Sequence, residues 1–336
     1  MKKVVIVLVG MMVCGLTWAA ENLPPYFPFK WVKKYEYNPI LLPDLESIDS
    51  FAAHGAFNPA VICKDGVYYM FYRAQDINAV SRISLAISKD GVNFSKCGGA
   101  VIEPTEDYEL PGGCEDPRIV QIEDTYYLTY TGYNNHYPHP THTCLATSKD
   151  LLSWTKHGPI LPQKSTAILN EKINGMYWAY YGDTNIWAAY SFDLFNWTII
   201  ADPVLQPRAG AWDDALVESG PPPIFTEYGI LLLHNGNLSE DRAKQKGQQF
   251  HRDQVREYAT GWALFAKDDP TRLIARDAEP FLKVTDPFDV YGQVNDVVFT
   301  EGMVIANDKA YLYYGGADTV VCLAIGEFAY NSTNWR

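Results

Sequence analysis

Three carboxylates carry the chemistry this sequence could do: Asp116 in Cys114-Glu115-Asp116-Pro117-Arg118, Glu218 in Glu218-Ser219-Gly220-Pro221-Pro222-Pro223, and Glu301 in Phe299-Thr300-Glu301-Gly302. Each stands a similar distance before a turn and an aromatic, β-branched strand; Asn58, in Phe57-Asn58-Pro59-Ala60, and Thr166 hold the same place in two further units. Acids gathered at equivalent strand starts can protonate a leaving oxygen and activate water, which is the chemistry of glycoside cleavage. Crowding by Glu218 and Glu301 would raise the pKa of Asp116, as a general acid requires, whereas Arg118 would lower it. Because side chains alternate along a strand, Asp116 and Arg118 are expected to share a face, with Glu115 on the other. Glu218 is the favoured base, with Glu301 as its partner, and Glu257, beside Tyr258, is a third candidate.

The elements that must position these residues form a repeat. Aromatic second strands start at Tyr68, Tyr126, Tyr177, Ile230 and Tyr311, each after a turn such as Asp65-Gly66 or Asn174-Gly175. Third strands start at Ile83, Thr143, Ile186, Gly261 and Val321, and the first three lead through Lys-Asp or Phe-Asp turns to Phe94, Trp154 and Trp197, read as packing between sheets. Proline-flanked exits follow, Ile102-Glu103-Pro104 and Ile160-Leu161-Pro162 among them, and the N-terminal Asn38-Pro39-Ile40-Leu41-Leu42-Pro43 matches them. The chain therefore begins with a fourth strand that can complete the last sheet. The expected fold is all-β, a five-bladed β-propeller whose N-terminal strand completes the last blade, with the first strand of every blade lining a central channel.

Composition narrows the partners. Residues 1–20 read as a signal peptide, with Lys2 and Lys3 before a short apolar run, so an exported, periplasmic or secreted protein is expected; Val13 before Cys14 makes a lipoprotein the lesser alternative. No later stretch is apolar enough to span a membrane, and residues 21–336 are expected to form one catalytic domain with a polar insertion at 239–257. A net charge of -13 argues against nucleic acid and favours an uncharged ligand. Neither the five cysteines beyond the signal nor His136, His139 and His142 argue for a metal, and no cofactor is expected. Tyr130, Tyr133, Tyr137, Trp178 and Trp187 could stack on sugar, though most aromatics of a propeller are core.

Asn58-Pro59 with Tyr72-Arg73-Ala74, Glu115-Asp116-Pro117-Arg118, the Ser148-Lys149-Asp150-Leu151 turn with Gly158-Pro159-Ile160, the Gly220 to Ile224 block, Val297-Val298-Phe299 and Tyr313-Tyr314-Gly315-Gly316-Ala317-Asp318 together resemble glycoside hydrolase family 130. The resemblance covers nearly all of the chain beyond the signal. It implies a five-bladed propeller acting on β-mannosides, with Asp116 as the proton donor, in some members through a sugar hydroxyl, and Asn58, Arg73 and Asp318 around the mannosyl unit. Family phosphorylases hold phosphate with an Arg, a Lys and a His, where this chain reads Tyr181-Gly182-Asp183, Leu216 and Asn235. Asp183 and Asn235, with Arg118, Tyr130 and Glu257, are therefore expected around a manno-oligosaccharide instead of a phosphate. The expected activity is an inverting β-mannosidase, and the resemblance implies β-1,2 linkages as its substrates. A β-mannoside phosphorylase and a non-catalytic glycan-binding propeller are the alternatives.

Overall fold

The computed structural model describes residues 26–135, 140–238 and 257–329. The expected signal, residues 239–256 of the insertion, His136, Tyr137 and His139 lie outside the described residues. Within them the chain is almost entirely antiparallel strand, with one turn of helix at Pro287–Val290. The expected second and third strands all pair: Val67–Gln75 with Ser81–Ser88, Thr125–Tyr133 with Thr141–Ser148, Tyr177–Tyr181 with Trp187–Ser191, Ile230–Asn237 with Tyr258–Phe265, and Lys309–Gly316 with Val320–Phe328. First strands precede them at Gly55–Lys64, Gly113–Ile122, Ala167–Ile168, Leu216–Ser219 and Val298–Ala306. Outer strands follow at Ser95–Ile102, Thr155–Pro162, Trp197–Ile199 and Leu273–Arg276.

Local sequence explains the turns after the third strands. In Ser88-Lys89-Asp90, Ser148-Lys149-Asp150 and Ser191-Phe192-Asp193, the serine hydroxyl donates to the aspartate and accepts backbone N–H groups, while the aspartate accepts two more. The aromatics that follow pack as expected: Trp154 meets Phe71 edge-on at 5.2 Å and Phe94 meets Tyr313 at 5.9 Å. Each exit then lays one buried apolar residue against its third strand, pairing Ile102 with Ile83, Leu161 with Thr143, Leu205 with Ile186, and Leu282 with Thr260.

The chain start needs one correction. Residues 38–43 do act as an exit, pairing Leu41 with Val321, but they form no ladder, since Pro39 and Pro43 have no N–H to donate. The strand that completes the last sheet lies earlier, at Phe29–Lys34, paired with Val320–Phe328 and anchored by the buried ring of Phe29 against Phe281 and Phe328.

Successive sheets pack face to face through shared apolar clusters. Phe71 and Leu85 meet Ile119 and Leu128; Val120 and Ile122 meet Ile168 and Tyr177; Trp178 and Tyr180 meet Leu232 and Phe265; Leu231 and Leu233 meet Val298 and Leu312. Met70 and Tyr72 of the first sheet in turn meet Tyr313 and Leu323 of the last. Each such side chain contributes roughly 1.5–3 kcal/mol by leaving water. A cavity of about 450 Å³ is lined from all five first-strand segments, by Val61, Ile119, Asn170, Pro222 and Met303 among others.

Asn235, expected at a ligand, is instead a fully buried strut. Its amide donates to the Thr300 carbonyl at 3.0 Å, and its Oδ1 accepts from the Thr300 N–H at 2.9 Å and the Thr260 hydroxyl at 3.0 Å. Asn235→Ala orphans these buried groups. It is expected to destabilise the fold by about 2 kcal/mol or more, read from the denaturant midpoint, while the substrate KM of the surviving folded protein stays near the parent value.

Candidate active site

The sequence places three polar residues where an antiparallel ladder would ordinarily alternate, and the backbone answers with a β-bulge each time. Pairing jumps from Phe57–Arg73 to Pro59–Tyr72, from Glu115–Thr131 to Arg118–Thr129, and from Thr300–Tyr314 to Gly302–Tyr313. The inserted residues are Asn58, Asp116 and Glu301. Asn58 and Asp116 sit at φ 47° and 48°, a region that short amide and carboxylate residues tolerate, and each precedes a proline that cannot donate to the ladder. The bulge also overrides the alternation expected from strand geometry: Glu115 and Asp116 both turn toward one guanidinium.

That guanidinium is Arg73. It donates to Asp116 Oδ1 at 3.1 Å, to Glu115 Oε1 at 2.6 Å and to Ser81 Oγ at 2.9 Å, with its plane 4.7 Å from the Phe57 ring centre. Asn58 donates its amide to Asp116 Oδ1 at 2.9 Å, and its own Oδ1 is left without a partner among the described residues. Gly315 makes room for it, since a Cβ there would lie 2.1 Å from Asn58 Oδ1. Burial opposes ionisation of Asp116, but Arg73, Lys164, the Asn58 amide and Arg118 outweigh it and hold the pKa at about 2. In the free site Asp116 is therefore a carboxylate, so of the two opposing influences the sequence offered, the neighbouring cations win over the neighbouring acids.

Glu218 lies on the first strand of the fourth sheet, and both its oxygens are held: Oε1 is 3.2 Å from Lys164 Nζ and Oε2 accepts from Ser165 Oγ at 3.2 Å. Burial raises its pKa, aided by Asp183 and Asp116 and opposed by Lys164 and Arg118. Asp318, in the turn after Lys309–Gly316 at φ 50°, is pushed up to about 6 by burial and by Asp116 and Glu218, against Arg73 and Lys164. Asp183 lies close enough to act on both Lys164 and Glu218. The Glu257 carbonyl accepts from Leu238 N–H, and Tyr258 beside it raises the pKa of Lys164.

Arg118, Glu301 and Tyr130 are placed differently from expectation. Arg118 is buried and donates to the carbonyls of Gly220, Ser219 and Asp116 at 3.0, 2.8 and 3.0 Å, so it spaces the site and offers nothing to a ligand. Glu301 is fully buried beside it, 3.0 Å from Nη2, and burial drives its pKa well above the carboxylate range. A group so enclosed and so readily protonated is a poor base for a water in the cleft. Tyr130 is core, its hydroxyl spent on Glu109 at 2.8 Å. Lys164 is the functional residue that sequence reasoning missed; its signal was a lysine in Pro162-Gln163-Lys164-Ser165-Thr166, just before a first strand.

Among the described residues, Asp213, His234 and Asp277 are the one group whose ligand atoms cluster as a metal site would require. Arg208 pairs with both aspartates, at 2.8 and 3.2 Å, and Arg276 pairs with Asp213. Two guanidiniums already balance these carboxylates, so the group is a structural ion-pair network.

An all-β fold with paired carboxylates where its innermost strands begin defines a class, the glycoside-active enzymes. The chain belongs to glycoside hydrolase family 130: the family profile described as beta-1,4-mannooligosaccharide phosphorylase matches residues 33–329. A 1,2-beta-oligomannan phosphorylase from Thermoanaerobacter sp. is 36% identical over 306 residues, covering 88% of this chain and 97% of that protein. A glycosyl hydrolase structure from Bacteroides ovatus aligns with a TM-score of 0.81 at 35% identity, over 90% of this chain and 95% of that one. A further structure, described by the words "The GH130 family of mannoside phosphorylases contains glycoside hydrolases that target beta-1,2 mannosidic linkages in Candida mannan", aligns with a TM-score of 0.83 at 35% identity, over 95% and 98% of the two chains. The fold is propeller-like, as in these relatives.

Lys164 lowers the pKa of both Glu218 and Asp116, so removing it must raise both. Lys164→Met is expected to move the acid limb of the kcat/KM pH profile upward by about one unit. An unmoved limb would separate Lys164 from the reacting carboxylates.

Proposed function

We propose that the chain cleaves β-mannosides, with β-1,2 linkages as the first choice, using water as the nucleophile and inverting the anomeric centre. The linkage rests on the relatives, named as acting on 1,2-beta-oligomannan and beta-1,2-mannobiose. The choice of water rests on charge. Glu115, Asp116, Asp183, Glu218 and Asp318 outnumber Arg73, Arg118 and Lys164, and each cation is already engaged by carboxylates or carbonyls. A multiply charged phosphate entering here meets net repulsion, which a neutral water does not.

In this reading Glu218 is the base that takes a proton from the attacking water. Burial raises its pKa against the pull of Lys164, which makes it a stronger base than a free carboxylate. Asp116 delivers a proton to the leaving oxygen, directly or through a sugar hydroxyl, and since it is ionised in the free site the proton reaches it after substrate binds. Asn58, Arg73 and Asp318 hold the mannosyl unit, with Asp183 and Glu257 at the rim.

Phosphorolysis is the second reading, and the curated relatives favour it by name more than they favour hydrolysis. Lys164, whose side chain is 24% exposed, is the cation that could serve it. We also read the fold as five-bladed, because the repeat of strands and exits and the packing of the last sheet on the first support a closed ring. The chain is proposed to be exported, on the strength of its first twenty residues.

Incubation with β-1,2-mannobiose, with and without inorganic phosphate, tests the choice. Free mannose in both conditions, with inverted anomeric configuration by NMR, is the expected outcome; phosphate-dependent mannose 1-phosphate would establish the second reading. Glu218→Gln and Asp116→Asn should each lower kcat by about 10²–10⁴ under the same assay.

A further inference from the structure

The cavity lined from all five first-strand segments approaches the carboxylates from the side away from the strand starts. Along Gly55–Lys64 and Gly113–Ile122, its walls Val61 and Ile119 stand three residues beyond Asn58 and Asp116, roughly 10 Å further along the strands. Glu301 belongs to both regions. It is the inserted residue of its bulge, equivalent to Asn58 and Asp116, and it is also among the residues that border the cavity.

Its bonding is incomplete in a telling way. Oε1 approaches Arg118 Nη2 at 3.0 Å, yet the Arg118 N–H groups are aimed at the carbonyls of Asp116, Ser219 and Gly220, and neither Glu301 oxygen makes a hydrogen bond among the described residues. A fully buried carboxyl left without partners, in a residue that borders a cavity wide enough for water, is a site for a water entering from that side. Burial is the largest influence and raises its pKa; of the charged groups that act on it, Arg118 and Lys164 favour its ionised form, and Asp116 and Glu218 oppose it.

We propose that this cavity is a rear passage for water and protons, and that Glu301 relays protons between it and the Asp116 and Glu218 pair. The inference rests on those two residues being the reacting pair. In each cleavage the glycosidic C–O bond breaks and its oxygen takes a proton from Asp116, while water forms the new C–O bond and loses a proton to Glu218. Restoring the site returns one proton to Asp116 and removes one from Glu218, with no net change. While sugar fills the mouth, Glu301 passes its proton through water to Asp116 and takes another from the cavity, into which Glu218 discharges by the same route. Glu301 is thus a positioning and relay residue that never touches the sugar.

Cys63 provides the test, because it is exposed and lines the cavity, whereas Cys114, Cys144 and Cys322 are buried. In a Cys97→Ser background, which leaves Cys63 as the exposed thiol of the described chain, Cys63 is labelled after folding with a bulky maleimide or a methylthio group. The bulky label is expected to lower kcat on β-1,2-mannobiose several-fold at unchanged KM and to enlarge the solvent deuterium isotope effect, and the small label to do neither. Glu301→Gln, which cannot give up a proton, should lower kcat by about tenfold with the same isotope signature, partly restored in Glu301→Asp. Full kcat with the bulky label in place overturns the relay alone. No cleavage by the unlabelled chain overturns the site assignment and the relay together.

Discussion

The buried guanidinium of Arg118 is the interaction on which the site's geometry depends. It spans from the second sheet to the fourth, gripping the carbonyls of Ser219 and Gly220 beside Glu218 and the carbonyl of Asp116 in its own bulge. A charge removed this far from water is tolerable only when its donors are matched, and three carbonyls accept from it, with the Glu301 carboxyl a further 3.0 Å neighbour. Because one rigid fork holds both segments, the spacing of Asp116 and Glu218 follows from the planarity of a guanidinium rather than from packing alone. Asn235 does the same work with neutral groups, tying the fourth sheet to the fifth.

The repeat was legible because strand alternation, turn residues and proline exits are local properties, and each recurs in sequence. Even the chain start was read correctly as an exit, although the ladder itself falls at Phe29–Lys34, where no proline interrupts the N–H series. Less legible was where side chains point. Period-two alternation put Glu115 and Asp116 on opposite faces, and the bulge put both on Arg73. The signal was present in Asn58-Pro59 and Asp116-Pro117, since a proline inside a long strand marks a break in the ladder. Lys164 escaped because the third sheet's first strand is only Ala167–Ile168, and counting back from its turn landed on Thr166, beyond the residues at φ 63° and 61° that flank Lys164 and turn it inward. The burial of Arg118, Tyr130 and Glu301 is a long-range outcome, and no local pattern encodes it.

The contrast between the site's acids and its cations bears on the co-substrate. Arg73 is saturated by Glu115 and Asp116, and Arg118 is enclosed, which leaves the ion pair of Lys164 with Glu218 as the one contact a phosphate could exchange. Taking that lysine would leave Glu218 beside the anion, so phosphate binding requires a proton on Glu218. Burial has already raised the pKa of that carboxyl, which makes the protonated state reachable but removes the base that water needs. On the proposed assignment the same two residues cannot serve both reactions in one protonation state: the intact pair leaves Glu218 as a base for water, and a protonated Glu218 releases Lys164 for an anion. Because burial, Lys164, Asp183, Arg118 and Asp116 together set the balance at Glu218, the proposed choice of co-substrate turns on one carboxylate's proton affinity more than on the shape of the cleft.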